Sequence, residues 1–227
     1  MNGNRFLDNA RTGNQQVGFQ VFAVLVTWLF WGLVGSVPIF LLVMAVGVID
    51  PARATQYFAD PMNFELLGLP MTVIFAAIMG QFVIGMFGAW LAETKILKKP
   101  FVAILNGFGK FRWKRAFLAF GIWIGFMIVY QGITYLLNPE SMEFKVDWQQ
   151  WLIFFPVAII LVPLQSAFEE IAIRGQLLQA LGRMTPWSAL LPLLSTSIIF
   201  ALLHGANTEV CLLYTSPSPR DLSTSRM

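Results

Sequence analysis

The sequence predicts an all-α fold, a polytopic transmembrane helix bundle with about five spans in this chain. Three observations carry that expectation. Of 227 residues, 57% are hydrophobic and only 12% are charged, with mean hydropathy +0.67; soluble domains carry about twice that charged fraction. A water-soluble fold of this length would have to hide more apolar surface than its volume allows. Five windows contain no Asp, Glu, Lys or Arg: 12–49, 66–92, 116–139, 148–168 and 184–203. Crossing the hydrocarbon core takes about 20 mainly apolar residues, and helix satisfies every backbone group in lipid without closing a barrel.

In order along the chain, residues 1–16 are polar, with Arg5, Asp8 and Arg11. The apolar stretch behind them is too long for a signal h-region, so a retained first span is expected, with 17–210 as one transmembrane domain. The loops then set orientation. Segment 93–115 holds Lys95, Lys98, Lys99, Lys110, Arg112, Lys114 and Arg115 against Glu93 alone. Segments 50–65 and 138–147 are acidic on balance. Basic loops stay cytoplasmic, which places the N-terminus and 93–115 inside and makes the expected location a cell (inner or cytoplasmic) membrane. Membrane lipids are the first expected partners, and the basic loop is also suited to anionic headgroups. Trp28, Trp31, Trp90, Trp113, Trp148, Trp151 and Trp187 mostly lie near window ends, where interfacial aromatics belong.

Pro156 and Pro163 are expected to kink the fourth span. Thr185-Pro186 reads as an N-cap followed by Pro at the first helical position, separating the fourth helix from the fifth. The last segment, 211–227, is rich in Ser, Thr, Pro and Arg without periodicity. It resembles translated adapter read-through, and is expected to be non-native, with the natural protein truncated; a natural disordered tail is the rival reading.

Several function classes fall away. A net charge of +3, concentrated in one loop, gives no argument for nucleic acid as a partner. One Cys, Cys211, allows no intrachain disulfide, and one His, His204, excludes an all-His or Cys/His metal site within the chain.

Charges reappear inside the apolar pattern at one place, Gln165-Ser-Ala-Phe-Glu169-Glu170-Ile-Ala-Ile-Arg174-Gly175. Glu170 and Arg174 stand at i and i+4 in the favourable order, acid before base. Glu169 is rotated about 100° from Glu170 on a regular helix and need not share that Arg. An acid at the centre of a membrane helix costs about 2.5–3.5 kcal/mol, so an unshared Glu169 is a candidate general base, with Glu170 and Arg174 as its supporting pair. A helix-end ion pair at the interface explains Glu170 and Arg174 equally well, and Glu169 less well. The second element is Phe200-Ala-Leu-Leu-His204-Gly-Ala-Asn207. Phe200 and His204 share a helix face, and Asn207 lies one turn on. A lone His near a helix end is a weak signal by itself; its weight comes from Glu169 on the preceding, antiparallel helix. One difficulty accompanies the pairing, because His204 and Glu169 differ in depth unless the fifth helix starts below the surface or the fourth extends to about Leu181.

Both segments resemble the CPBP family of intramembrane proteases, which includes CAAX prenyl endopeptidases and bacteriocin-processing and immunity-type proteins. The family's EExxxR is Glu169-Glu170-Ile-Ala-Ile-Arg174 here, and its FxxxH is Phe200-Ala-Leu-Leu-His204. Gln165, Gly175 and the helix to Leu181 match in context, and the resemblance is strongest over 148–210. It implies an intramembrane endopeptidase in which Glu169 activates water, His204 helps bind and orient it, and Glu170 and Arg174 support Glu169. It implies a membrane-associated peptide or protein, prenylated or not, as substrate. The cofactor is open: none, or a divalent metal such as zinc, with Glu169 and His204 as the ligands available. The family's later His and Asn have no counterpart here, Asn207 is not their substitute, and the chain as given is expected to be inactive. A non-proteolytic membrane scaffold or immunity-type protein is the alternative, and a transporter a weaker one because no internal repeat is evident.

Overall fold

The computed structural model describes residues 5–106, 111–139, 147–185 and 187–205. Among these, every regular element is helical. Helix α1 runs Val17–Ile49, 33 residues, through a π-helical stretch at Phe30–Val34 and a turn at Gly35 and Ser36. Helix α2, Pro51–Ala59, starts where Asp50 accepts from the Arg53 amide (3.3 Å) and Pro51 needs no hydrogen-bond acceptor. Helix α3 spans Met71–Ile96, α4 Trp113–Leu137 and α5 Trp148–Met184. Asp147 caps α5, its Oδ1 accepting from the amides of Gln149 and Gln150 at 3.1 Å each. Helix α6 is Leu190–His204, 15 residues.

The all-α transmembrane expectation therefore holds, with a refinement. Helices α1, α3, α4 and α5 are long and apolar enough to cross a membrane, whereas α6 is a shorter apolar helix, about 22 Å long. The window 184–203 overstated it because Thr185 is not its N-cap. Thr185 closes α5, its hydroxyl donating to the Leu181 carbonyl (2.8 Å), and Ser188 Oγ accepts from the Leu191 amide (3.2 Å) at the start of α6. Pro186 lies outside the described residues, as does the segment 206–227 with Asn207 and Cys211.

Helix α3 is the centre against which α1 and α5 pack. In lipid, helices associate by close packing of small residues rather than by the hydrophobic effect, and α3 offers such a face in Gly85, Gly88 and Ala89. A Cβ on Gly85 would come within 2.6 Å of the Phe168 ring and 2.9 Å of Trp31 Cβ. One on Gly88 would collide with Phe30 Cβ. The missing side chains are what seat the aromatics of α1 and α5.

The two ends of the bundle differ. At one end Val43, Val46, Tyr57 and Leu67 form a small apolar cluster under α2. At the other the N-terminal segment is tied to the loop after α3 and to the end of α5. Asn9 Nδ2 donates to the Ala103 and Asn106 carbonyls (2.9 and 3.1 Å), the Asn14 amide to Leu97 O (2.7 Å), and Arg183 Nε to Gln15 O (3.2 Å). The polar start, the basic loop and the charged end of α5 thus share one end of the molecule.

Candidate functional site

Helix α5 carries Glu169 where regular α-helix gives way to a π-helical stretch, Glu170–Leu177. The helix passes through Pro156 and Pro163 without ending, and its π-helical stretch follows Glu169. π-Helical turns are uncommon and concentrate at functional sites. Because α5 continues to Met184, the depth difficulty disappears: Glu169 lies well inside a 37-residue helix. The antiparallel α6 returns from Leu190 and brings its last residue, His204, level with Glu169.

The resulting geometry is compact. His204 Nε2 lies 3.4 Å from Glu169 Oε2, and Gln165 Nε2 donates to Glu169 Oε1 at 3.2 Å. His204 Nδ1 is 2.9 Å from the Phe200 carbonyl. A carbonyl only accepts, so Nδ1 carries a proton and Nε2 is the nitrogen turned to Glu169. A carboxylate and an imidazole side by side are residue types suited to general acid–base chemistry.

The two motifs are joined by a stack. Arg174 Nη1 donates to Glu170 Oε1 at 2.7 Å, and both side chains are about half exposed. The Arg174 guanidinium lies 4.5 Å from the centroid of the Phe200 ring, and the same ring stacks with the His204 imidazole, 4.3 Å away at an interplanar angle of 23°. Phe200 thus links the Glu170–Arg174 pair to the orientation of His204. A cation over an aromatic face contributes about 0.5–1 kcal/mol when exposed. Asn207 lies outside the described residues.

Glu169 and His204 open on a cavity of about 180 Å³. Its polar side is Gln165, Glu169 and His204, and its walls are chiefly Trp28, Trp31, Phe82 and Phe168. The aromatics support one another: Trp28 meets Trp31 edge-on at 5.4 Å, Trp31 stacks on Phe168 at 6.3 Å, and Phe82 packs against Phe168 at 5.9 Å. Trp28 and Trp31, which lie in the middle of the 12–49 window, therefore line the cavity. An apolar wall with a few convergent polar groups is the usual form of a small binding site.

Sequence spacing also missed a buried polar cluster behind the motif. Glu93 and Gln179 are fully buried, Gln176 and Lys99 nearly so. Lys99 belongs to the basic loop, and no local pattern distinguishes it from its exposed neighbours.

As for metal, no group of three His, Cys, Asp or Glu gathers among the described residues. Glu169 and His204 supply two donors, and Glu170 is engaged by Arg174. The described residues do not fit a zinc site with three protein ligands.

Comparison with known proteins agrees with the motifs. Residues 147–218, which include all of α5 and α6, match the family of type II CAAX prenyl endopeptidase Rce1-like proteins. The chain is 38% identical over 126 residues to the uncharacterized protein YyaK of Bacillus subtilis (strain 168), an overlap covering 54% of this chain and 41% of that relative. The chain thus spans about two-fifths of the length of the curated relative it matches. No solved structure matches.

Proposed function

We propose, on the premise that 147–218 is an Rce1-like segment, that the protein is an intramembrane endopeptidase hydrolysing a peptide bond of a membrane-associated substrate. The observation that carries this reading is the contact of Glu169 with His204, beside an apolar cavity inside a membrane helix bundle. Glu169 takes a proton from a water molecule as its oxygen forms the new bond to the scissile carbonyl carbon. The same proton passes to the leaving amine nitrogen as the C–N bond breaks, which returns Glu169 to carboxylate. His204, its ring fixed by Phe200 and the Nδ1 hydrogen bond, orients the water through Nε2. Gln165 holds the second carboxylate oxygen, and Glu170 with Arg174 steadies the turn. No step here passes through a metal. The apolar walls suit an apolar substrate segment, and the cell membrane with the N-terminus cytoplasmic is the proposed setting.

The test uses the full-length protein in liposomes with matched peptides, prenylated and unprenylated. Glu169→Gln and His204→Ala are each expected to reduce cleavage on the order of 10²-fold or more, with expression and membrane insertion retained. Cleavage that persists in Glu169→Gln rules out the base. No cleavage by the parent of any peptide favours a non-proteolytic membrane scaffold.

A further inference from the structure

The buried polar cluster lies outside the cavity, and the proposed chemistry does not use it. Lys99 is reached through Lys98, whose φ of +53° is one that L side chains rarely adopt. That turn carries the Lys99 side chain inward, away from the water available to the rest of its loop. Its Nζ lies 3.1 Å from Glu93 Oε2 at the end of α3 and donates to Gln179 Oε1 on α5 at 2.9 Å. Gln179 Nε2 donates to the Ala103 carbonyl at 2.6 Å, so the amide is held at both ends. One turn earlier, Gln176 Nε2 reaches the Ala23 carbonyl of α1 at 3.5 Å.

Burying a lysine and a glutamate is costly unless both are well paired, and such a pair is weak evidence for stability in itself. Its distinctive effect here is positional. Between Glu169 and Gln179 lies the π-helical stretch, Glu170–Leu177. Return of that stretch to ordinary α-helical bonding would turn Glu169 relative to everything beyond Leu177. Fixing α5 just past the stretch opposes that turn.

We propose that Lys99, held by Glu93, is a positioning residue: through Gln179 it fixes the height and rotation of α5, and so keeps Glu169 opposite His204. This role in the reaction rests on the hydrolytic reading above, but its geometric effect does not.

The experiment separates the two. Cysteines replace Glu169 and His204 in a full-length Cys211→Ser background, and the yield of cross-linking by a short bis-maleimide is followed alongside melting temperature. Gln179→Leu leaves the Glu93–Lys99 pair intact and is expected to lower the cross-linking rate several-fold. Lys99→Met lowers it as well, and Lys99→Arg recovers it. In the otherwise native protein, Gln179→Leu lowers kcat several-fold and leaves KM unchanged. Equal cross-linking in Gln179→Leu and the parent overturns the proposal, as does loss in Lys99→Met that Lys99→Arg does not recover, which would mark general loosening. If cross-linking responds as expected but the parent cleaves nothing, the hydrolytic reading fails and the positional one stands.

Discussion

Two of the ion pairs among the described residues have similar contact distances and opposite circumstances. Glu170 and Arg174 are one helical turn apart, 2.7 Å in contact and about half exposed. Glu93 and Lys99 are 3.1 Å apart with side chains essentially sealed from solvent, one at the end of α3 and the other beyond it. The first pair is local: its spacing alone brings the charges together. The second exists only because the turn at Lys98 and the approach of α5 close over it. Contact distance therefore says little about energetic weight, since the cost of removing one partner depends on whether water can replace it.

Breaking one side of the buried pair is expected to have the largest effect. Glu93→Ala should destabilise the protein by about 3–5 kcal/mol by leaving Lys99 uncompensated. The double change Glu93→Leu with Lys99→Met should recover most of that loss, as read by thermal melting in detergent. Next in size is crowding the small face of α3. Gly85→Val places atoms in the space of the Phe168 ring and Trp31, and should cost about 1–3 kcal/mol, with a change in tryptophan emission as Trp31 moves. Phe200→Ala should follow. It removes the ring that both Arg174 and His204 contact, lowering stability by about 0.5–1.5 kcal/mol for the lost ring stacking while reducing cleavage more than stability. Smallest is the exposed pair: Glu170→Gln, which leaves the Arg174 contact with Phe200 in place, should shift stability by no more than about 0.5 kcal/mol. A loss as large as that of Glu93→Ala would erase the contrast between the pairs.

The contrast also explains what was legible beforehand. The helical membrane fold was legible because charge-free windows of span length admit few other structures in lipid. The placement of Glu169, Glu170, Arg174, Phe200 and His204 on two neighbouring helices was legible because it follows from i, i+4 spacing and a short connection. The aromatic walls were not. Trp28 and Trp31 lie in the middle of the charge-free window 12–49, which does not reveal what packs against them, so their role appeared only once α3 and α5 closed on them. Helix α4 shows the same limit from the other side: as apolar as its neighbours, it has no buried residue among those described, and hydropathy cannot tell a lipid-facing helix from a packed one.

The sequence by itself determined the membrane class, the order of the helices and the identity of the charged motif. Each of these rests on composition or on spacing within one helix. Only the tertiary structure decided that His204 lies 3.4 Å from Glu169, that α5 runs on to Met184, and that Lys99 turns inward to Gln179. Those facts depend on the close approach of separate helices, which is set by shape and burial, and no local pattern of residues encodes them.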